Sequence, residues 1–264
     1  MIILNEEKYA TDLYCGKISN VKSVTTKIGY LTRYNLYVLH DTDEDNYKHT
    51  VEWMNKYHNC FDESCYSNLI ADAIVRAYKS PFYNIDNIRI TKSELDIISS
   101  LHNLRAEKVL FVLLCMAKQQ SVTYGFTNGL VKYALPNLCK VARISVPSEE
   151  REYILYNIVQ MGLLGYPKKN NTQCLIVNFI NDDEVALQLD EVDCQELAYV
   201  YLNWKNDGKG YTRCQRCSRL IKQSKTKPRK YCEECAQEVE RENSKERVRR
   251  YREKCNENLT QQND

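Results

Sequence analysis

Cys214-Gln215-Arg216-Cys217 and Cys232-Glu233-Glu234-Cys235 form a Cys-x2-Cys…Cys-x2-Cys frame with fourteen residues between the pairs. Two residues between paired cysteines let both sulfurs of a pair turn toward one point, and the loop between the pairs can bring four thiolates around one ion. That donor set and spacing predict a single structural zinc with Cys214, Cys217, Cys232 and Cys235 as ligands. The same spacing could serve two disulfides, but nothing in the chain suggests secretion. Four thiolates leave a zinc ion no open position for water, so the metal is expected to hold structure and not to catalyse.

The residues around the cysteines carry their own chemistry. From Lys209 to Tyr231 there are nine basic residues and no acid. An acid-free run of that length differs from a mixed-sign solubility surface and suits a polyanion, most simply a phosphate backbone. The expected contacts are Arg213, Arg216, Arg219, Lys222, Lys225, Lys227, Arg229 and Lys230. A second group follows the last cysteine: Arg247, Arg249, Arg250 and Arg252, in a stretch without Gly or Pro that reads as a solvated helix. Glu246 and Arg250 are spaced to pair on that helix. Cys255 to Asp264 read as disordered.

Composition separates this tail from the rest. The chain has 264 residues with net charge +2, yet the part from Lys209 onward holds 16 basic and 9 acidic residues, against 21 and 26 before it. A mildly acidic body therefore carries a basic tail. At 43% hydrophobic, the body can build a core. The other eight cysteines have no metal-ligand spacing and read as reduced thiols. His49, His58, Cys60 and Cys65 match no zinc spacing. Met1 to Glu7 lacks the charge and apolar pattern of a signal peptide, and the longest apolar run, Val109 to Ala117, is too short to span a bilayer. A cytosolic chain with no membrane partner is expected.

The elements that must position these groups are mainly α-helical. Four segments are expected: a helical domain over 1–90, a winged-helix-like domain over 91–205, a zinc ribbon over 206–238, and a basic helix with a disordered tail over 239–264. In the first, Ser23–His40, Tyr47–Tyr57 and Cys65–Tyr78 show helical spacing, with the acids of Asp41–Asp45 available as caps. Tyr83–Ile90 alternates like a short strand, and Thr91-Lys92-Ser93-Glu94 has the form of a capping box. In the second segment, Ala106–Gln120 is apolar all round and must be buried. Leu130–Val141 reads as a helix perturbed by Pro136, and Ser148–Met161 as a third helix closed by Gly162. Two apolar runs with an Asn-rich tip then make a hairpin ending at Phe179, Val185–Leu189 reads as a strand, and Cys194–Trp204 as a short helix. Three helices followed by a hairpin is the order of a winged helix. Its third helix carries Arg151, Asn157 and Gln160 but also Glu149, Glu150 and Glu152, so of the wing-side residues only Lys168 and Lys169 suit a phosphate.

Cys214, Cys217, Lys230-Tyr231-Cys232 and Cys235, running into Arg249-Arg250-Tyr251-Arg252-Glu253-Lys254, resemble the tails of uncharacterised proteins encoded by phages and prophages of Firmicutes. The resemblance covers about the last fifth of the chain and, more loosely, the winged-helix-like middle. It implies a phage setting and a bacterial host cytoplasm. Two functions are compatible with these residues. One is a regulatory or replication-accessory protein that binds DNA or RNA through the zinc-held tail. The other is an inhibitor that binds a host protein or ribonucleoprotein, for example a defence nuclease or CRISPR effector, through acids such as Asp41–Asp45 or Asn181–Glu184. No hydrolase, metalloprotease, P-loop or paired-carboxylate frame is present, so an enzyme is not expected.

Overall fold

The computed structural model describes residues 2–17, 23–126, 128–168, 174–224, 226 and 228–261, with side chains described through Tyr251. It is mainly helical, with small antiparallel sheets.

Helices α1 (Glu6–Tyr14), α2 (Val24–Tyr34), α3 (Asp43–Tyr57) and α4 (Glu63–Ala77) form a bundle. Each begins on a residue whose side chain accepts a backbone N–H of the first turn: Asn5, Ser23, Thr42 and Asp62. Leu13, Ile28, Leu31, Trp53, Met54, Ile70 and Ile74 close their core.

A second core surrounds α6 (Leu104–Tyr124). Val109 to Cys115 are all at most 2% exposed, so this helix is buried on every side, as its composition requires. Around it lie α5 (Lys92–Ser99), β2 (Leu130–Lys132), α7 (Leu135–Val141), α8 (Ser148–Gln160), β3 (Leu164–Gly165), β4 (Cys174–Val177) and α9 (Leu197–Lys205). Strands β2, β4 and β3 pair antiparallel in that order, with Val131 opposite Leu175 and Leu164 opposite Val177. Helix, strand, two helices and two strands in this pairing have the winged-helix order.

The expected helix over Leu130–Val141 is corrected. Its first residues form β2, because Val131 is buried by pairing with β4, and Pro136 lies in the first turn of α7 instead of kinking a longer helix. Gly129 precedes β2 at φ +69°, and a Cβ there would lie 2.3 Å from the Val177 carbonyl oxygen, so only glycine lets the strands approach.

The expected strand at Tyr83–Ile90 is reduced to β1 (Ile88–Thr91), which pairs antiparallel with β5 (Val185–Leu189), Ile88 lying opposite Leu189. Ile2, Leu4, Ile88 and Ile90 belong to the α6 core. The capping box forms as expected. Glu94 N–H donates to Thr91 Oγ1 at 3.3 Å, and Thr91 N–H donates to Glu94 Oε2 at 2.9 Å.

Two carboxylates sit inside this core. Glu94, fully buried, also accepts from the Asn181 N–H at 3.1 Å and lies 2.8 Å from the Lys118 ammonium. Glu107 accepts from Tyr201 Oη at 2.9 Å and from the Lys205 ammonium. Removing one member of such a pair leaves a buried charge without compensation, which costs more than the pair itself contributes. Glu94→Ala is therefore expected to cost about 3–5 kcal/mol of unfolding free energy in urea titration. A cost under about 1 kcal/mol would show that Lys118 and the Thr91 and Asn181 amides find solvent at no penalty.

Candidate metal centre

Strands β6 (Tyr211–Arg213) and β7 (Leu220–Lys222) form an antiparallel hairpin, with Thr212 opposite Ile221. The first cysteine pair sits in the turn of this hairpin, where Ser218 takes φ +60°. The second pair opens α10 (Glu233–Gln261): Cys232 precedes the helix and its carbonyl accepts the Ala236 N–H at 2.9 Å. Two knuckles of different local structure thus face each other, one on a hairpin and one on a helix start.

The four Sγ atoms lie within 4.8 Å of one another, and Cys217 Sγ is 3.7 Å from Cys232 Sγ. A tetrahedral site with Zn–S bonds of about 2.3 Å has edges of about 3.8 Å, so the arrangement fits one metal ion of zinc size. Cys214 and Cys235 are buried, while Cys217 and Cys232 are partly covered. Ile221 completes the module's small core, with Tyr231 packed against it.

Backbone amides tune the sulfurs. Cys232 N–H donates to Cys214 Sγ at 3.3 Å, and Cys235 N–H to Cys232 Sγ at 3.5 Å. Burial works against the Cys214 thiolate, but the N–H groups of Cys217, Cys232 and Arg216 outweigh it and bring its pKa down to about 6. Burial, then hydrogen bonds to the neighbouring sulfurs, pushes the Cys235 thiol up. The amides that favour a thiolate at Cys214 would also orient it toward a metal.

The structure separates the expected polyanion contacts into two sets. Most of the arginines are engaged within the chain. Arg213 donates to Asp193 Oδ1 and to the Ser218 carbonyl, each at 3.0 Å. Arg216 donates to both Glu242 oxygens at 2.8 and 2.9 Å and lies 3.5 Å from Glu238. Arg219 pairs with Glu234. Arg249 and Arg250 both donate to Glu246, the latter at 2.9 Å in the expected spacing, and Arg247 donates to Ser244 Oγ at 3.2 Å.

The second set is exposed. Lys222, Arg229 and Lys230 make no side-chain ion pair among the described residues. Lys168 is exposed beyond β3. Lys169, Lys225, Lys227 and the Arg252 side chain lie outside the described residues. α10 runs to Gln261, past Lys254 where the helical reading of the sequence stopped, on a stretch free of Gly and Pro.

Four of the acids expected to meet a host partner are engaged locally. Asp41 Oδ2 lies 2.6 Å from His49 Nδ1, Asp43 accepts from Tyr78 Oη, Asp45 from Thr42 Oγ1, and Asp183 from Ser93 Oγ. His58 Nδ1 lies 3.4 Å from the Lys27 ammonium.

Sequence reasoning missed the partners of the arginines. Glu234, Glu238 and Glu242 recur every fourth residue and so share a face of α10, but the sequence does not reveal which cations that face meets. It also missed the docking of the module on the body. Leu220 joins the α6 core, the Tyr211 and Tyr199 rings are 5.6 Å apart, and Arg213 reaches Asp193. No described helix is long and apolar enough to cross a membrane. The chain matches no protein-family model, no curated protein and no solved structure.

Metal analysis of the purified chain should return one bound ion per molecule, and Cys214→Ser combined with Cys217→Ser should abolish it. Stripping the ion should lower the melting temperature, because the module's own core is too small to hold it folded alone. A full-length chain that holds no ion after purification without chelators, and melts identically with and without added zinc, would exclude the site.

Proposed function

We propose that this chain is a nucleic-acid-binding protein whose C-terminal module, held by one zinc ion, grips backbone phosphates. The observation that carries the reading is the placement of Lys222, Arg229 and Lys230. They stand exposed and without acid partners, among the described residues, on the segment between the two cysteine pairs. The paired arginines do not oppose it. Exposed ion pairs are worth only about 0–1 kcal/mol each, so a phosphate can replace a glutamate at little cost. The winged-helix order of the body fits a regulatory or replication-accessory role, and four thiolates suit binding more than catalysis. The resemblance of the cysteine frame and following helix to phage and prophage proteins supports a setting in the cytoplasm of an infected bacterium.

The test is equilibrium binding of the zinc-loaded full-length chain to labelled single-stranded DNA, duplex DNA and RNA over a range of salt. Log affinity should fall with log salt at a slope of about −2 or steeper, corresponding to at least three phosphate contacts. The Cys214→Ser, Cys217→Ser chain should lose this binding. Affinity indifferent to salt, or no binding to any of the three, overturns the reading.

A second reading, that the chain inhibits a host defence nuclease or CRISPR effector by binding it, is favoured by α8. In a winged helix the exposed side of this helix would enter a DNA groove, but here it presents Glu149, Glu152, Tyr153 and Tyr156, with Met161 beyond. Tyr153, Tyr156 and Met161 are each more than half exposed, and Tyr153 and Met161 flank an apolar hollow against Leu101 and Leu104. Acids repel phosphate, whereas tyrosines rimmed by acids suit a cationic protein surface. On this reading the tagged chain retains one host protein at fixed stoichiometry after nuclease treatment, and Tyr153→Ser with Tyr156→Ser releases it at unchanged melting temperature. Retention that disappears with nuclease returns the function to the first reading.

A further inference from the structure

Where the module docks on the body, cations from distant parts of the chain converge. The Lys108 ammonium, on α6, donates to the Arg143 carbonyl at 3.0 Å. Burial, and then the nearby charges of Arg105, Arg143 and Lys222, hold the Lys108 pKa below the ordinary lysine value. Lys222 belongs to the zinc module and the other three to the body. Beside them lies a hollow of about 390 Å³, lined by Arg143, Lys222, Arg229, Tyr199 and Tyr231 together with the acids Glu196, Glu233 and Glu234.

The balance of charge here decides what the hollow takes. Glu150 is held by Arg105, Glu196 by Arg143 at 3.0 Å, and Glu234 by Arg219. That leaves Lys222 and Arg229 on the wall of the hollow with Glu233, and Lys108 close to Lys222. Clustered like charges weaken the fold that holds them, and a bound polyanion relieves them. The Arg143 guanidinium is already fixed, lying 4.3 Å from the centre of the Tyr199 ring. Tyr231, half-buried against the cysteine cluster, lines this hollow and a second one beyond Arg229 and Lys230. Cations interleaved with an aromatic ring in a concave site suit a strand whose bases are free to stack, not a duplex.

We propose that this junction seats a single-stranded nucleic acid, with Lys108 from the body joining Lys222 and Arg229 from the four-cysteine module on backbone phosphates, and Tyr231 under a base. The proposal rests on the nucleic-acid reading above and narrows it to a strand type and a place.

The experiment measures fluorescence anisotropy of a labelled oligothymidylate of about 20 nucleotides with the zinc-loaded full-length chain, as wild type, Lys108→Gln, Lys222→Gln and Lys48→Gln. Lys48 is exposed on α3, in the other core, and serves as the control. Lys108→Gln and Lys222→Gln should each lower affinity about three- to tenfold at low salt and make the salt slope shallower by about 0.7. Lys48→Gln should change neither. Lys108→Gln and Lys222→Gln should keep the wild-type circular dichroism spectrum, so that lost affinity is not lost fold. Salt-dependent binding by the wild type that is untouched in both junction variants overturns this site while leaving the broader function standing. Tighter binding to a duplex of equal length overturns the single-strand assignment. No binding by the wild type to any nucleic acid overturns both.

Discussion

The apolar circumference of α6 is the constraint from which the rest of the architecture follows. A helix with no polar side must be wrapped completely, and a single bundle face cannot do that. Here the wrapping comes from every quarter of the chain: Ile2 and Leu4 at the start, Ile88 and Ile90 of β1, the winged-helix elements, Tyr201 of α9, and Leu220 of the four-cysteine module. Because the same core receives residues from both ends of the sequence, the module is not a free tail. Its hairpin sits on α9, and the ring of Tyr211 lies beside that of Tyr199. Burying this much apolar surface also tolerates two buried carboxylates, each neutralised by a lysine that reaches in from the edge.

Folding redistributes the charge that composition describes. The basic tail of the sequence becomes a module whose arginines are mostly spent on the acids of α10 and on Asp193. These contacts fix the direction in which α10 leaves the cysteine cluster, because Arg216 on the first knuckle reaches Glu238 and Glu242, one and two turns along the helix. They are exposed and individually weak, so they orient more than they stabilise. Lys222, Arg229 and Lys230 are exposed and make no ion pair among the described residues, and the body brings Lys108 near Lys222. These exposed cations therefore straddle two parts of the fold.

The acidic and aromatic side of α8 separates architecture from surface chemistry. The order of helices and strands is that of a winged helix, yet the face that would meet DNA offers glutamates and tyrosines. Architecture and surface are separate variables, and only the surface speaks to function.

Local rules made much of this legible from sequence. The Thr91–Glu94 capping box, the start of α8 at Ser148, its close at Gly162 with φ +75° and the cysteine frame all follow from interactions among residues a few positions apart. β2 was hidden because three residues carry too little periodicity to outweigh a helical neighbourhood, and its strand character comes from Leu175 across the sheet. The pairing of Ile88 with Leu189 was hidden for the same reason. By itself, the sequence determined most of the helices, the four-cysteine cluster and the excess of cations, since propensity, spacing and charge are properties of short stretches. Only the tertiary structure decided which cations are paired, which remain free and what stands beside them, because those depend on distances between residues that share no local pattern.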